Sequence, residues 1–443
     1  VPRTFKIGGI HPPDSKLSAS SPIEVLPLPE VAYIPVGQHI GAPATPIVAK
    51  GDKIKVGQLI AKASGFVSAN IHSSVSGTVI GIENMVDVSG YPRPTIAIAV
   101  EGDEWDESID RTTTLVEDIQ LSSREIIKRV ADMGIVGMGG AAFPTHIKLM
   151  VPDGKKVDVL IINGAECEPY LTADDRLMVE HGREILVGVK LLMKALNVDR
   201  AIIGIENNKP EAIGNLSMLC KYHSGISVLP LKVKYPQGGE KQLVKAAINR
   251  EIPSGGLPFD VGAVVQNVAT AFAIYEAVQK KKPLIDRVVT VTGEPISRPS
   301  NFLVRIGTPI GQLLEAAGGL VEGDVKVISG GPMMGKALPT VMSPVTKGTS
   351  GVLVIKEGMA MRPAVSECIR CAKCVSVCPM GLEPFLLNKL SVRNMYPELE
   401  GNRVTDCIEC GSCAYTCPAG IPLLDYIRYG KGAVMQAMRS RKK

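Results

Sequence analysis

The chain reads as a multidomain α/β protein, and three observations lead there. Its central stretch alternates short apolar, strand-type runs with helix-like segments, the pattern of an α/β layer domain. The residues before it are short apolar runs punctuated by Gly-Asp and Ser-Gly, which suits a small all-β unit. Eight of the ten cysteines crowd between Cys368 and Cys417 in two repeated runs, which marks a further unit. A length of 443 residues leaves room for several domains of ~100–200 residues each.

Composition sets the outer limits. Hydrophobic residues make up 45% of the chain, which excludes a disordered protein. Mean hydropathy is slightly positive at +0.17, yet no unbroken apolar run approaches the ~18–20 residues of a membrane span. The nearest candidate, Val261 to Val278, is interrupted by Gln266, Asn267 and Glu276, and reads as a buried strand running into a helix. No positively charged start with an apolar core is seen, so no signal peptide is expected. A net charge of +5, from 49 basic and 44 acidic residues, is too balanced for a nucleic-acid binder. The basic excess sits in Arg439, Arg441, Lys442 and Lys443, expected as a solvated, frayed terminus rather than a membrane or partner contact.

Taken in order, the first unit (1–110) opens Phe5-Lys-Ile-Gly8-Gly9-Ile10-His11-Pro12-Pro13. Two stretches, Pro46 to Ile60 and Ser68 to Ile80, carry the turn signals of a small β-sandwich or flattened barrel. The second unit (111–285) begins with an amphipathic, helix-like segment from Ser123 to Met133. A loop rich in glycine follows, Gly134 to Lys148, with Gly137, Gly139 and Gly140. Glycines let backbone N–H groups crowd a phosphate, but they serve ordinary turns as well, and spacing alone leaves both readings open. Then come Val157 to Ile162, ending in Asn163-Gly-Ala-Glu166-Cys167-Glu168-Pro169, and Arg200 to Ile205, ending in Glu206-Asn207-Asn208. Ser227 to Val233 leads to Tyr235-Pro-Gln-Gly238-Gly239-Glu240, and Asp260 to Ala269 contains Gln266 and Asn267. Open α/β sheets bind ligands at such carboxyl ends of strands. The ordinary alternatives are a core role for Phe143, a solvated charge for Lys148, and buried, inert thiols for Cys167 and Cys220. His72 and His146 lack partners at metal spacing and are expected to be structural.

The third unit (286–345) has a strand-like Val288 to Thr292 and a helix from Pro309 to Ala317. In the fourth (346–430), Cys368, Cys371, Cys374, Cys378-Pro and Cys407, Cys410, Cys413, Cys417-Pro repeat C-x2-C-x2-C-x3-C-P. This is the spacing of bacterial two-cluster ferredoxins. Three thiolates on one tight loop reach three irons of a cubane, and the fourth ligates the other cluster. The expected sets are Cys368, Cys371 and Cys374 with Cys417, and Cys407, Cys410 and Cys413 with Cys378. Each fourth cysteine is expected to open a helix, with proline in its first turn. Zinc, which favours two separated pairs of ligands, is the alternative. The insert from Gly381 to Thr405 has Leu382, Phe385, Leu386 and Leu390 at helical spacing, so this unit is expected to be mainly helical. Residues 431–443 form the basic tail.

Four of these patches, in the same order, resemble the flavin-carrying, NADH-oxidising subunit of respiratory complex I. Gly137 to Lys148 is similar to its G-R-G-G-A-G-F-P-T-G-L-K loop, and Asn163 to Pro169 to N-A-D-E-S-E-P. Tyr235 to Lys241 is similar to Y-I-C-G-E-E-T, and Val264 to Val268 to V-V-N-N-V. The resemblance implies a Rossmann-like domain in which Gly137, Met138, Gly139, Gly140, Asn163, Glu166, Gly238, Gly239, Gln266 and Asn267 approach FMN. Lys148 would sit between flavin and nucleotide, with Phe143, Glu168, Tyr235 and Glu240 facing NAD(H), and Lys148, Glu168 and Glu240 serving the reaction. Met138, Ala165, Gly239 and Gln266 replace an arginine, an aspartate, a glutamate and an asparagine of that pattern, so hydrogen bonding near the flavin must differ.

The first unit is similar to biotinyl- and lipoyl-carrier domains, but no lysine lies between Gly65 and Gly77, so a docking role without lipoylation is expected. The third resembles the β-grasp domain of the soluble-ligand-binding type. The order of units, with the Gly-Gly-Ile-His-Pro-Pro opening, resembles the C-subunit family of the Rnf complexes, which exchange electrons between ferredoxin and NAD and move Na+ or H+. The resemblance implies two 4Fe–4S clusters, FMN, NAD(H) as substrate, and a peripheral place on the cytoplasmic side of a membrane. Partners would be other subunits of the complex, one of them an iron–sulfur, ferredoxin-linked subunit. Its logic is that a flavin converts the two-electron hydride of NADH into the single electrons a cluster takes. The alternatives are a microcompartment cobalamin reductase and a cluster-only electron-transfer module.

Overall fold

The computed structural model describes residues 2–320 and 323–441. Lys442 and Lys443 of the basic tail lie outside the described residues.

Two small antiparallel sheets form the barrel. In one, Val31–Pro35, Pro92–Val100, Gly77–Val86 and Lys53–Ile54 lie side by side; in the other, Thr45–Pro46, Leu59–Lys62 and Ile71–His72. Alternate residues point inwards, so Ile34, Ile60, Ile71, Ile96 and Ile98 fill one core. The residues ahead of these strands do not join either sheet. Ile23–Val25 pairs instead with Ser300–Arg305 of the third unit.

The central domain is built on four parallel strands in the spatial order Ile226–Leu231, Ala201–Glu206, Val159–Gly164, Ala263–Asn267. Numbered along the chain this is 3-2-1-4, the beginning of the doubly wound order. Both faces are covered, which is why the strands read as continuous apolar runs rather than alternating ones. The helices Gly182–Leu196 and Val268–Gln279 bury one face with Ile162, Ile203 and Val264. Helix Glu240–Ile248 covers the other over Ile161, Ile202 and Val265. The order reverses between Val159–Gly164 and Ala263–Asn267, so a crevice opens at their carboxyl ends.

The third unit is a six-stranded mixed sheet with the helix Ile310–Ala316 packed on it through Ile310 and Leu313. Its strand Gly351–Lys356 lies beside Asp286–Thr292 near the middle of the sheet. The sequence reading placed these residues with the cluster unit; the apolar run Gly-Val-Leu-Val-Ile is buried here because its neighbours on both sides belong to this sheet.

The fourth unit is mainly helical. Pro384–Val392 packs on the long helix Leu423–Arg441 through Leu387, Leu390 and Ile427. Two expectations need correction. Cys378 and Cys417 do not open helices. Each follows a single turn, Lys373–Ser376 or Ser412–Tyr415, and the next helices begin only at Pro384 and Leu423. The prolines beside them occupy turns, where a missing N–H costs little. The tail is not frayed as far as it is described. Residues 431–441 continue the long helix, and the Arg441 guanidinium pairs with Glu400.

Candidate flavin and iron–sulfur sites

Three loops and two strand ends converge at the crevice. Asn163 and Asn267 are register partners at the ends of the first and fourth strands. The Asn267 Oδ1 caps the helix that follows by accepting from the Ala269 amide at 2.8 Å. Its Nδ2 donates to Asp174 at 2.7 Å and to the Asn163 carbonyl at 3.4 Å. Asn163 in turn donates to the Gly238 carbonyl at 2.9 Å, so the Tyr235–Glu240 loop is tied to the same strand end. The glycine-rich loop closes on itself through Gly137 N–H to the Phe143 carbonyl, 2.8 Å, and is anchored by the Met138 amide on Thr270 Oγ1, 2.9 Å. Gly139, at φ +77°, and Gly140 are left exposed at its tip. A Cβ on Gly139 would lie 2.7 Å from Asn267 Nδ2, whereas one on Gly140 would meet nothing within 4 Å.

These residues fit a flavin. The Gln266 side chain is buried, and its Nε2 has no partner in the protein, a donor left over in a polar crevice. Gly137, Gly139 and Gly140 put backbone rather than side chains at the mouth, as an approaching phosphate or ring requires. Lys148 pairs with Glu240 at 2.8 Å and reaches the Val265 carbonyl at 3.4 Å, so two expected nucleotide residues from separate loops meet. Gly239 is the first cap of the helix that begins at Glu240.

The acidic turn after Asn163 is held by backbone amides. The Glu166 carboxylate accepts from the Asp174 and Asp175 amides, 2.8 and 3.2 Å, at the amino end of the helix Ala173–Glu180. Burial beside Glu166 pushes the Asp174 and Asp175 carboxyls up to about 7 and about 6. Glu168 accepts from the Met333 and Met334 amides, 3.1 and 2.8 Å, across the seam with the β-grasp unit. Burial raises its carboxyl to about 7. The Tyr235 ring is buried, and its hydroxyl donates to the Cys410 carbonyl at 2.8 Å. Tyr235 therefore spends its polar end on the cluster loop. Cys167 lies in the same contact. It accepts from the Gly238 amide at 3.3 Å, and burial lifts its thiol far above the usual range. Cys220 is half-buried and raised to about 11.

Several supporting residues have no local signal in the sequence. Lys16 donates to the Glu166, Glu168 and Leu171 carbonyls at 3.0, 2.9 and 2.6 Å. Lys209, fully buried, donates to the Ala165 carbonyl at 2.8 Å. Thr270 and Met333 join them only because the chain returns from more than 130 residues away.

The eight clustered cysteines form no disulfide. Cys368, Cys371, Cys374 and Cys417 line one cavity of about 200 Å³. Cys378, Cys407, Cys410 and Cys413 line a second, narrower one. Each is three cysteines of one run with the fourth of the other, the sharing that two-cluster ferredoxins use. Among the described residues no three His, Cys, Asp or Glu side chains close on one point as a lone ion needs; the thiols surround a volume instead. The two loops repeat one backbone path, with Arg370 and Glu409 at φ +57° and +58°, and Ala372 and Gly411 at +58° and +79°. Left-handed residues between ligands turn the chain round the cavity. Cys371 is exposed, while Cys378, Cys410 and Cys413 are buried. The Cys407–Cys413 loop is the one beside the flavin domain. Cys410 packs with Ile10 and Tyr235, and Cys167, Met333, Val377 and Ile408 close round them.

Family models match along the chain: an RnfC barrel sandwich hybrid domain over residues 4–104, the Nuo51 FMN-binding domain over 130–276, an SLBB domain over 288–337, and a 4Fe-4S dicluster domain over 367–421. Fold and sites together define an electron-transfer protein that carries FMN and two 4Fe–4S clusters. The chain is 49% identical over 396 residues to the C subunit of the proton-translocating ferredoxin:NAD+ oxidoreductase complex of Clostridium ljungdahlii, covering 88% of this chain and 85% of the relative. It is 46% identical to the C subunit of the Na+-translocating complex of Acetobacterium woodii, over 90% of each. It belongs to this family, the C subunits of ion-translocating ferredoxin:NAD+ oxidoreductase complexes, and is thus an NAD-linked oxidoreductase subunit. A solved NAD+-reducing NiFe hydrogenase, in its H2-reduced state, shares the fold at a TM-score of 0.50 and 18% identity, over 70% of this chain and 61% of its own. No helix among the described residues is long and apolar enough to cross a membrane.

Proposed function

We propose that the protein is the peripheral subunit through which a membrane redox complex exchanges hydride with NAD(H) and passes single electrons towards a ferredoxin-linked iron–sulfur subunit, in step with Na+ or H+ translocation. Its place would be the cytoplasmic face of the membrane. FMN, when bound, supplies the exchange between two-electron and one-electron chemistry. Around it, Gly137, Met138, Gly139, Gly140, Asn163, Glu166, Gly238, Gly239, Gln266 and Asn267 would form the cradle. Lys148, paired with Glu240, would orient the nucleotide at the mouth with Phe143. A carboxylate there repels a 2′-phosphate, so NADH would be preferred to NADPH. Glu168 and Tyr235 would act from the seams, where their polar atoms are already engaged with Met333, Met334 and Cys410.

The observation that carries this reading is the contact between Tyr235 and Cys410. One loop ends at the flavin crevice and holds a cluster ligand by its carbonyl. It supports an order in which the cluster of Cys407, Cys410, Cys413 and Cys378 is nearer the flavin. The cluster of Cys368, Cys371, Cys374 and Cys417, with Cys371 exposed, then faces the next carrier. Anaerobic purification with flavin, iron and sulfide analysis, followed by NADH titration, tests it. One FMN and two clusters, bleached by NADH, are expected. Clusters without flavin, or flavin whose reduction never reaches the clusters, would refute it.

A further inference from the structure

The opening Gly-Gly-Ile-His-Pro-Pro belongs to neither barrel sheet. Residues 3–16 run across the joint between the flavin domain and the cluster unit. Arg3 extends the edge of the parallel sheet beside Leu231, its carbonyl accepting from the Lys232 amide at 2.8 Å. Ile10 exchanges both backbone hydrogen bonds with Tyr235, 2.9 Å each. Between them Gly9 donates to the Val377 carbonyl at 2.9 Å, next to the expected ligand Cys378. Lys16 then ties the far end to the acidic turn through its three carbonyl bonds. The strip is thus bonded to the flavin domain on both sides of the Gly9 hydrogen bond to the cluster loop.

Gly8 is what lets it pass. Its φ is +65°, and a Cβ there would run into the Cys378 carbonyl, with the Val377 oxygen at 2.7 Å. These are backbone atoms, which cannot swing aside as a side-chain end does. Gly9, at φ +89°, is also close, but there the first atoms met are the end of the Lys234 side chain, 2.5 Å, and the Phe5 ring, 2.8 Å.

We propose that residues 3–16 are a clamp that sets the gap between the flavin crevice and the cluster held by Cys407, Cys410, Cys413 and Cys378, with Gly8 as its positioning residue. The inference rests on the flavin-to-cluster route proposed above. Electron tunnelling falls steeply with distance, so a wedge at Gly8 slows transfer without touching either cofactor.

The test compares Gly8→Ala with Gly51→Ala in the full chain with its cofactors. Gly51 has φ +95° and open space around it, so it carries a comparable backbone cost with no neighbour to push. Gly8→Ala is expected to keep FMN and iron. NADH-driven bleaching of its clusters should slow several-fold, because the tunnelling rate falls with each added ångström of gap. Its dithionite-reduced EPR spectrum should show a changed line shape for that cluster. Gly51→Ala should match the parent in both. Gly9→Ala, which meets softer neighbours, should slow bleaching by less, and it stands in if Gly8→Ala fails to fold. A bleaching rate and EPR spectrum at parent values in Gly8→Ala, or in Gly9→Ala where it stands in, overturn the clamp. Should NADH fail to bleach even the parent, the route falls, and the dithionite EPR comparison still decides the clamp.

Discussion

Replacing Gly139 with valine should cost the protein its flavin and spare its clusters. The residue sits at φ +77°, where an L side chain costs about 1–2 kcal/mol. A Cβ there lies 2.7 Å from Asn267 Nδ2 and 3.2 Å from its Cγ, so the amide must move. Asn267 then gives up its cap on the Ala269 amide, worth about 1 kcal/mol. It also loses its bond to Asp174, worth about 1.5 kcal/mol. The sum is about 3–5 kcal/mol, concentrated on the loop and strand end that face the crevice. Expressed as affinity, this weakens FMN by about a hundredfold to a few thousandfold. The nearest neighbours of a Cβ at Gly139 all belong to Asn267, so iron should stay at two clusters per chain. Flavin and iron per chain after anaerobic gel filtration provide the assay, with a melting curve to show that the variant is folded. One FMN per chain in a folded Gly139→Val protein would refute the placement of this loop.

Cys368→Ala and Cys407→Ala should each lower iron by about half, since each removes a ligand from a different set. NADH should still bleach the remaining cluster in Cys368→Ala but not in Cys407→Ala, where the cluster beside Tyr235 is gone; equal bleaching in both would refute the proposed order. Glu240→Gln keeps the shape of the mouth but removes the charge paired with Lys148 at 2.8 Å, so NADPH use should rise relative to NADH in acceptor assays. An unchanged ratio of the two kcat/KM values would place Glu240 outside the nucleotide site. Glu168 is raised from 4.5 to about 7 in the fold, so the native state holds a proton that the unfolded chain releases, and stability from this group is lost as pH rises from about 4.5 to 7. The term is worth about 2–3 kcal/mol, and Glu168→Gln should flatten the fall in melting temperature between about pH 5 and 8. Parallel melting profiles for the two proteins would show that the carboxyl does not titrate there.

The sequence was most informative where chemistry depends on residues close together in the chain. Ligand spacing is such a case. Three thiols within seven residues can only share one loop, so the cysteine sets were legible before any coordinates, and the two cavities are lined by those sets. The strand-type runs were legible too, because a parallel sheet covered on both faces needs uninterrupted apolar residues. Even the split of Val261 to Val278 into strand and helix followed from three polar residues, one of which, Asn267, proves to be the helix cap.

Tertiary structure decided what depends on which distant segments meet. Gly351–Lys356 is as apolar as any strand of the flavin domain, and only its pairing with Asp286–Thr292 places it in the β-grasp sheet. Glu168 and Tyr235 carry motifs that resemble nucleotide-facing positions. Their polar atoms nonetheless reach Met333, Met334 and Cys410, more than 160 residues away in the chain. Lys16 and Lys209 carry no local signal in the sequence, yet both donate to carbonyls of the acidic turn. The opening Gly8-Gly9 is the clearest case. A glycine pair near the start of a chain signals a turn at most, since the carbonyl of Cys378 that excludes a side chain at Gly8 lies some 370 residues further on. Local spacing determines which atoms can bind a cofactor; long-range packing determines how far apart two cofactors are held.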